Sequence, residues 1–342
     1  MQATFPSTAP LIKTPALSPA VKRHLPFTFL LIFCGLLFFW GLGDRDLLSS
    51  HEARAAQNGQ MIVSDGYWGL PRLFDRHLEM QKPPLYYWLV ALLGHLLGGQ
   101  VDAWAVRLPA ALSALGCVLF VYYLGRKCGR ARAGFLAALV LASCLHFTWL
   151  ARVGRIDMPL TLTVTMAGGG FYLGMRAKNL GHDRAWPWFF LAYVSVALGI
   201  LLKGPIALLL TGVIVGTFAF SLRRSPGNKD GRPTATGLGA SLWWGMPLVL
   251  LIAAPWFVWA NYETNNQIWE VFFYYHNIER GLGASDTLAS HPFWFYAPRV
   301  LIDLFPWSVA LPATIWWLIK RKHRSHGLEI HDQADQAGTS IP

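Results

Sequence analysis

Between residues 27 and 319 the sequence passes through one long apolar run after another, with charges confined to the short segments between them. A helix rises about 1.5 Å per residue and needs roughly 20 mostly apolar residues to cross a hydrocarbon layer of about 30 Å. Runs that meet or approach this length are 27–43, 108–124, 133–151, 158–175, 185–202, 204–222, 238–262 and 300–319. Composition agrees, since 54% of the 342 residues are hydrophobic and only 14% charged, where soluble chains carry about 25%. The expected fold is therefore an all-α polytopic membrane protein with about eight transmembrane helices, its core spanning 27–319. Residues 1–26, rich in proline and bearing Lys13, Lys22 and Arg23, read as a disordered basic tail, and 320–342 as a polar tail.

One run is ambiguous. Residues 81–99 read QKPPLYYWLVALLGHLLGG, and a helix over 85–99 would reach only about 22 Å. Pro83-Pro84 suit a helix start, Gly98-Gly99 a stop, and Tyr86, Tyr87 and Trp88 favour the membrane interface. Charge placement separates the two readings. If this helix lies flat, the segments 126–132, 176–184, 223–232 and the tail from Lys320 all face the cytoplasm, with 18 of the 29 Lys and Arg residues inside. If it spans, those basic segments must be translocated, against the positive-inside rule. The flat arrangement makes 44–107 the first extracytoplasmic loop, holding two short amphipathic interfacial helices over 49–62 and 85–99, and makes 263–299 the last. Both termini are then cytoplasmic, in the inner (plasma) membrane.

The same layout accounts for the net charge of +11 as anchoring of cytoplasmic loops, and no basic, aromatic-interleaved surface points to nucleic acid. The four cysteines show neither metal-ligand spacing nor a disulfide framework.

The flat helix also brings Glu52, Lys82, Arg152, Arg155, Asp157, Lys203, Glu279 and Arg280 to one face. Lys203, in LGILLKGPIALLL, is costly between apolar runs unless it reaches water or an anion. Lys82 is fixed by the two prolines after it. With Arg152 and Arg155 these lysines suit a phosphate or diphosphate at the outer surface, beyond what headgroup anchoring requires. Asp157 is either a helix cap or an active-site carboxylate. Glu52 and Asp157 would accept an acceptor proton or steady charge developing on a sugar ring, unless they only pair with the neighbouring cations. His276, Glu279 and Arg280, within an aromatic belt, line a lipid entry. Their spacing, with His291, fits no compact metal site.

Taken in order, Glu52-Ala53-Arg54, Trp68 with Pro71, Lys82-Pro83-Pro84 before Tyr87-Trp88, Ala105-Val106-Arg107-Leu108-Pro109, Arg155-Ile156-Asp157-Met158, Lys203-Gly204-Pro205, Pro255-Trp256, His276 to Arg280 and Pro306-Trp307 resemble the C-type-fold membrane glycosyltransferases. The likeness is to the group of protein mannosyltransferases and lipid A aminoarabinose transferases, over about 27–319. It implies a polyprenyl-phosphate sugar donor, a lipid or cell-envelope glycan acceptor and transfer with inversion. On the same resemblance Lys82 and Lys203, with Arg155 and Arg152, bind the donor phosphate, Asp157 and Glu52 are the catalytic carboxylates, and Tyr87, His276, Glu279 and Arg280 wall the substrate cavity. No cofactor is expected, and nothing in the sequence supports a divalent cation. Three departures stand out: His51 where the family commonly has Asp, Gln81 where Glu is frequent, and a chain shorter than its relatives. The last suggests acceptor recognition reduced or supplied by a protein partner, and leaves a non-catalytic, donor-binding relative as the alternative.

Overall fold

Short polar breaks divide the apolar runs into helices, seen in a computed structural model that describes residues 19–181, 184–224, 237–279 and 292–320. In order they are α1 (Pro19–Cys34, continuing as a π turn over Gly35–Phe39), α2 (Ser50–Asp65), α3 (Leu85–Leu96), α4 (Ala103–Lys127), α5 (Ala131–Ser143), α6 (Leu145–Ala151), α7 (Asp157–Asn179), α8 (Trp186–Lys203), α9 (Ile206–Arg224), α10 (Leu238–Glu263), a π-helical segment Trp269–Glu279, and α11 (Tyr296–Asp303). Among the described residues the sole β pairing is an isolated bridge between Arg72 and Leu78. Local chemistry sets several boundaries. Ser49 caps α2 by accepting from the Glu52 N–H (3.1 Å), and Asp102 caps α4 by accepting from the Ala105 N–H (2.8 Å). α1 begins at Pro19, inside the stretch expected to be a disordered tail, because proline is well tolerated in a first helical turn.

Three helices have the length and composition of a single span: Ala103–Lys127, Trp186–Lys203 and Leu238–Glu263. The number rises to five if each of two bent pairs counts as one, Ala131–Ser143 with Leu145–Ala151 (69°) and Tyr296–Asp303 with Trp307–Lys320 (107°). The expected count of about eight is thus not confirmed. The run 27–43 leaves the helix after Phe39, 133–151 and 300–319 break sharply, and 158–175 is diluted by threonine and glycine.

The two helices expected between the first and second long runs are present as α2 and α3. At 12 residues α3 is about 18 Å long, too short to cross about 30 Å of hydrocarbon. It packs instead on α2 and on the ends of α4 and α8, through Ala55, Ile62, Tyr86, Tyr87, Val90, Val106 and Leu202. Its opposite side leaves Leu92, Leu96 and Leu97 exposed.

The bundle has two chemically distinct ends. At one, Lys127 Nζ lies over the Tyr123 and Trp188 rings, the Arg176 guanidinium donates to the Lys127 carbonyl, and Gly237 packs on Lys178. This end gathers the end of α4, the end of α7 and the starts of α8 and α10. At the other end lie the starts of α4 and α7, the end of α8, and the α2–α3 pair. The basic segments around Lys127 and Arg176 are therefore separated, by the length of a 25-residue helix, from the face carrying Lys82, Asp157 and Lys203.

The second end is pinned by Arg107, whose side chain is 1% exposed. Its Nε donates to Glu52 Oε1 (2.7 Å), and its terminal nitrogens donate to the carbonyls of Leu42 (2.9 Å), Arg45 (2.8 Å) and Asp46 (2.8 Å). Glu52 Oε1 also accepts from the Gly154 N–H (3.0 Å). Gly154 is required there, since a Cβ would stand 2.4 Å from Val106 Cγ1. Burial opposes ionisation of Glu52, but the bonds from Arg107 and Gly154 outweigh it and hold its carboxyl below the ordinary value of 4.5.

Replacing Arg107 by Ala strands a buried carboxylate, and we expect a loss of about 3–5 kcal/mol in thermal or denaturant unfolding of the purified protein. Because the folded carboxyl titrates below the unfolded one, the stabilisation from Glu52 is complete above the ordinary value of 4.5 and is lost as pH falls through the folded value. Arg107→Ala should flatten that acid limb.

Candidate functional site

Helices α7 and α8 run antiparallel, so the first residue of one and the last of the other meet although they are 46 positions apart. Asp157 opens α7, where the positive end of the helix dipole favours a carboxylate, and Lys203 closes α8, where the negative end favours an ammonium. Lys203 Nζ donates to Asp157 Oδ1 at 2.6 Å. Arg155 Nε stands 3.1 Å from Asp157 Oδ2, an ion pair not aligned as a hydrogen bond. α8 stops because Gly204 takes φ +78°, and a Cβ there would meet Phe272 of the π-helical segment at 2.4 Å.

Around this pair lies a cavity of about 220 Å³, lined by His51, Arg54 and Ala55 of α2, Lys82, Tyr86 and Tyr87 at the start of α3, residues 154–157, and Lys203. Among the described residues, four cationic side chains face it against one carboxylate, Asp157. Lys82 makes no hydrogen bond or ion pair within 4 Å among the described residues. Burial and then the charge of Lys203 push its ammonium below the usual lysine value, partly offset by Asp157. Asp157 is driven the other way: burial works against its charge, but the Lys203 hydrogen bond and the charges of Lys203, Arg155 and Lys82 keep its carboxyl below 3.8.

The loop that carries Lys82 is itself held by charge. Buried Glu79 lies 3.3 Å from Arg54 Nε and accepts from the Gln81 N–H (3.0 Å), while an Arg54 terminal nitrogen donates to Gln81 Oε1 (2.7 Å). The Trp88 indole donates to the Trp68 carbonyl (2.7 Å), tying the same loop to α3.

Of the residues singled out in the sequence, Lys82, Arg155, Asp157, Lys203 and Tyr87 share this cavity. Glu52 and Arg152 do not line it. Glu52 is taken up by Arg107 and Gly154, one layer behind, and Arg152 donates to the carbonyls of Leu37 (2.9 Å) and Trp40 (2.7 Å), bracing the end of the π turn. His276 sits on the π-helical segment and is not among the lining residues. Arg280 and the side chain of Glu279 lie outside the described residues. Sequence reasoning passed over Arg54 and Glu79 as site components, and noted His51 only as a departure. A salt bridge between a helix and a loop, Arg54 to Glu79, leaves no periodic trace in the sequence.

A larger cavity of about 540 Å³ lies where α10 meets the π-helical segment. Its walls include Phe257, Val258, Trp269 and Phe273, and among the described residues Glu270 is the single charged one that lines it and no cation does.

Gly204→Ala forces a Cβ against Phe272 and an L-residue into a left-handed conformation. We expect it to lower the thermal midpoint and to free Lys203 from Asp157, read as loss of protection of Lys203 from amine-reactive labelling relative to Lys127.

Comparison with known proteins bears on this geometry. The Shewanella sediminis undecaprenyl phosphate-α-4-amino-4-deoxy-L-arabinose arabinosyl transferase is 27% identical over 285 residues, 83% of this chain and 49% of the relative. The Aeromonas salmonicida transferase of the same name is 29% identical over 296 residues, 86% and 50%. The chain thus spans about half the length of these curated relatives. Among solved structures, ArnT from Cupriavidus metallidurans bound to undecaprenyl phosphate superposes with a TM-score of 0.71 at 21% identity, covering 87% of this chain and 51% of that one. The archaeal oligosaccharyltransferase AglB from Archaeoglobus fulgidus gives 0.51 at 14% identity, covering 87% and 37%. These likenesses establish a shared transmembrane fold. A family model described as dolichyl-phosphate-mannose-protein mannosyltransferase matches residues 81–259, just over half of the sequence and including Lys82, Asp157 and Lys203, and the chain belongs to that family.

Proposed function

We propose that this protein is a glycosyltransferase that moves a sugar from a polyprenyl-phosphate donor to a lipid or cell-envelope acceptor, with inversion, at the extracytoplasmic face of the inner membrane. The observation that carries the reading is the imbalance of charge in the cavity, with Arg54, Lys82, Arg155 and Lys203 around the single carboxylate of Asp157. A sugar phosphodiester bears one negative charge, and the polyprenyl phosphate that leaves bears close to two. Cations fixed beforehand around the departing oxygens gain interaction energy as that charge develops, which is the form of binding that lowers a barrier. In this scheme Lys82 and Lys203 take the phosphate, and Asp157 holds Lys203 and Arg155 in place.

The exposed leucines toward the other end of α3 supply an apolar surface suited to a prenyl tail, with the headgroup at the level of Lys82. An undecaprenyl-phosphate donor is supported by the names of the relatives above, and the placement of both termini in the cytoplasm by the basic segments gathered at the far end of the bundle.

The test is transfer in nanodiscs, from labelled undecaprenyl-phosphate sugars to extracted envelope lipids. We expect transfer, and undecaprenyl-phosphate binding that weakens at least tenfold in Lys82→Ala and in Lys203→Ala, as befits charge-assisted hydrogen bonds of about 1.5–3 kcal/mol. Binding without transfer to any acceptor would favour the non-catalytic alternative, and a folded protein that binds no polyprenyl phosphate overturns the proposal.

A further inference from the structure

An acceptor hydroxyl that attacks a sugar must lose its proton, and the described residues leave few places for that proton to go. Asp157 has one carboxylate oxygen 2.6 Å from Lys203 and the other 3.1 Å from Arg155. Glu52 is bound to Arg107 and Gly154, and Glu79 to Arg54 and the Gln81 N–H, and neither lines the cavity. Tyr86 donates its hydroxyl to the Val106 carbonyl (2.8 Å). Burial raises the titration of both Tyr86 and Tyr87, so both keep their protons. Lys82 would be held protonated by the donor phosphate beside it.

His51 remains. It stands on the first turn of α2, lines the cavity and is open to solvent, and its imidazole makes no hydrogen bond or ion pair among the described residues. Resting on the glycosyltransferase reading, we propose that the acceptor is a neutral hydroxyl rather than an already ionised phosphate and that His51 is the general base that takes its proton. The acceptor O–H proton passes to the imidazole while the acceptor oxygen bonds to the anomeric carbon. The bond from that carbon to the phosphate oxygen breaks, its electron pair leaves with the polyprenyl phosphate, and the imidazolium returns its proton to water.

The surroundings keep the ring ready to accept. Partial burial, then Lys82 and Arg155, lower its pKa below 6.5, with Arg54 adding to the effect and Asp157 opposing it. Lys203 lines the same cavity but is paired with Asp157. The shift favours the uncharged imidazole at neutral pH, and acidification protonates and inactivates it.

The experiment is the pH–rate profile of transfer by the full chain in nanodiscs, for wild type, His51→Gln and His51→Asp, with undecaprenyl-phosphate binding measured in parallel. In kcat/KM, which reports the free enzyme, wild type should show an acid limb with a midpoint below 6.5 and a plateau at neutral pH. His51→Gln should bind undecaprenyl phosphate as wild type does, lose about a hundredfold or more in kcat, and lose the acid limb. His51→Asp should recover at least tenfold over Gln, with the limb moved to lower pH. A His51→Gln protein that turns over at the wild-type rate, or that retains the same acid limb, overturns the assignment while leaving the transferase reading intact. So does loss of activity matched by loss of undecaprenyl-phosphate binding. A wild type that binds but never transfers overturns the enzymatic reading, and this one with it.

Discussion

One buried guanidinium organises the face on which the cavity lies. Arg107 reaches from α4 to the carbonyls of the 42–46 connection and to the carboxylate of Glu52, and Glu52 passes the constraint on to the backbone of Gly154. Burying two opposite charges is expensive unless every donor finds an acceptor, and here Arg107 has partners on two separate segments, the 42–46 connection and α2. His51 and Arg54 flank the clamped Glu52 on α2, and Arg155 and Asp157 follow the clamped Gly154. Three cavity residues with charge and one imidazole are thus placed by a pair that does not line the cavity.

The cavity itself is an electrostatic device more than a shaped pocket. Its volume is modest and its lining is mixed, but its charges are uncompensated in a consistent sense. Lys82 carries this furthest, because the two prolines after it fix the backbone and Glu79 and Gln81 hold the loop before it, while its ammonium forms no ion pair within 4 Å among the described residues. An anion that enters relieves repulsion among groups already in position, so little reorganisation accompanies binding.

Much of this was legible in the sequence for a physical reason. Charges among apolar residues are conspicuous, and the topology implied by the basic loops put Lys82, Asp157 and Lys203 on one face, where they meet. Pattern alone could not tell which charges face the cavity and which are consumed behind it. Glu52 and Arg152 have the same residue types and neighbourhood as their cavity-lining counterparts, and they differ only in the partners that folding brings to them. Arg107 was visible as part of a motif, yet nothing in Ala105-Val106-Arg107-Leu108-Pro109 says that the arginine turns inward. The count of about eight spans is left unconfirmed for a related reason, since hydropathy registers apolar length but not the breaks at Cys144 and near Pro306 that bend a run away from a straight crossing.

The placement of Asp157 and Lys203 on opposite helix termini has a consequence for how a ligand could enter. Each ion rests against the favourable pole of its own helix, an interaction of about 0.3–1 kcal/mol. If an incoming oxyanion takes Lys203 away, the carboxylate falls back on the amide groups of the first turn of α7 and on Arg155, so neither charge is left bare. The pair is arranged so that Lys203 can share an oxyanion while Asp157 keeps Arg155 and the pole of its own helix.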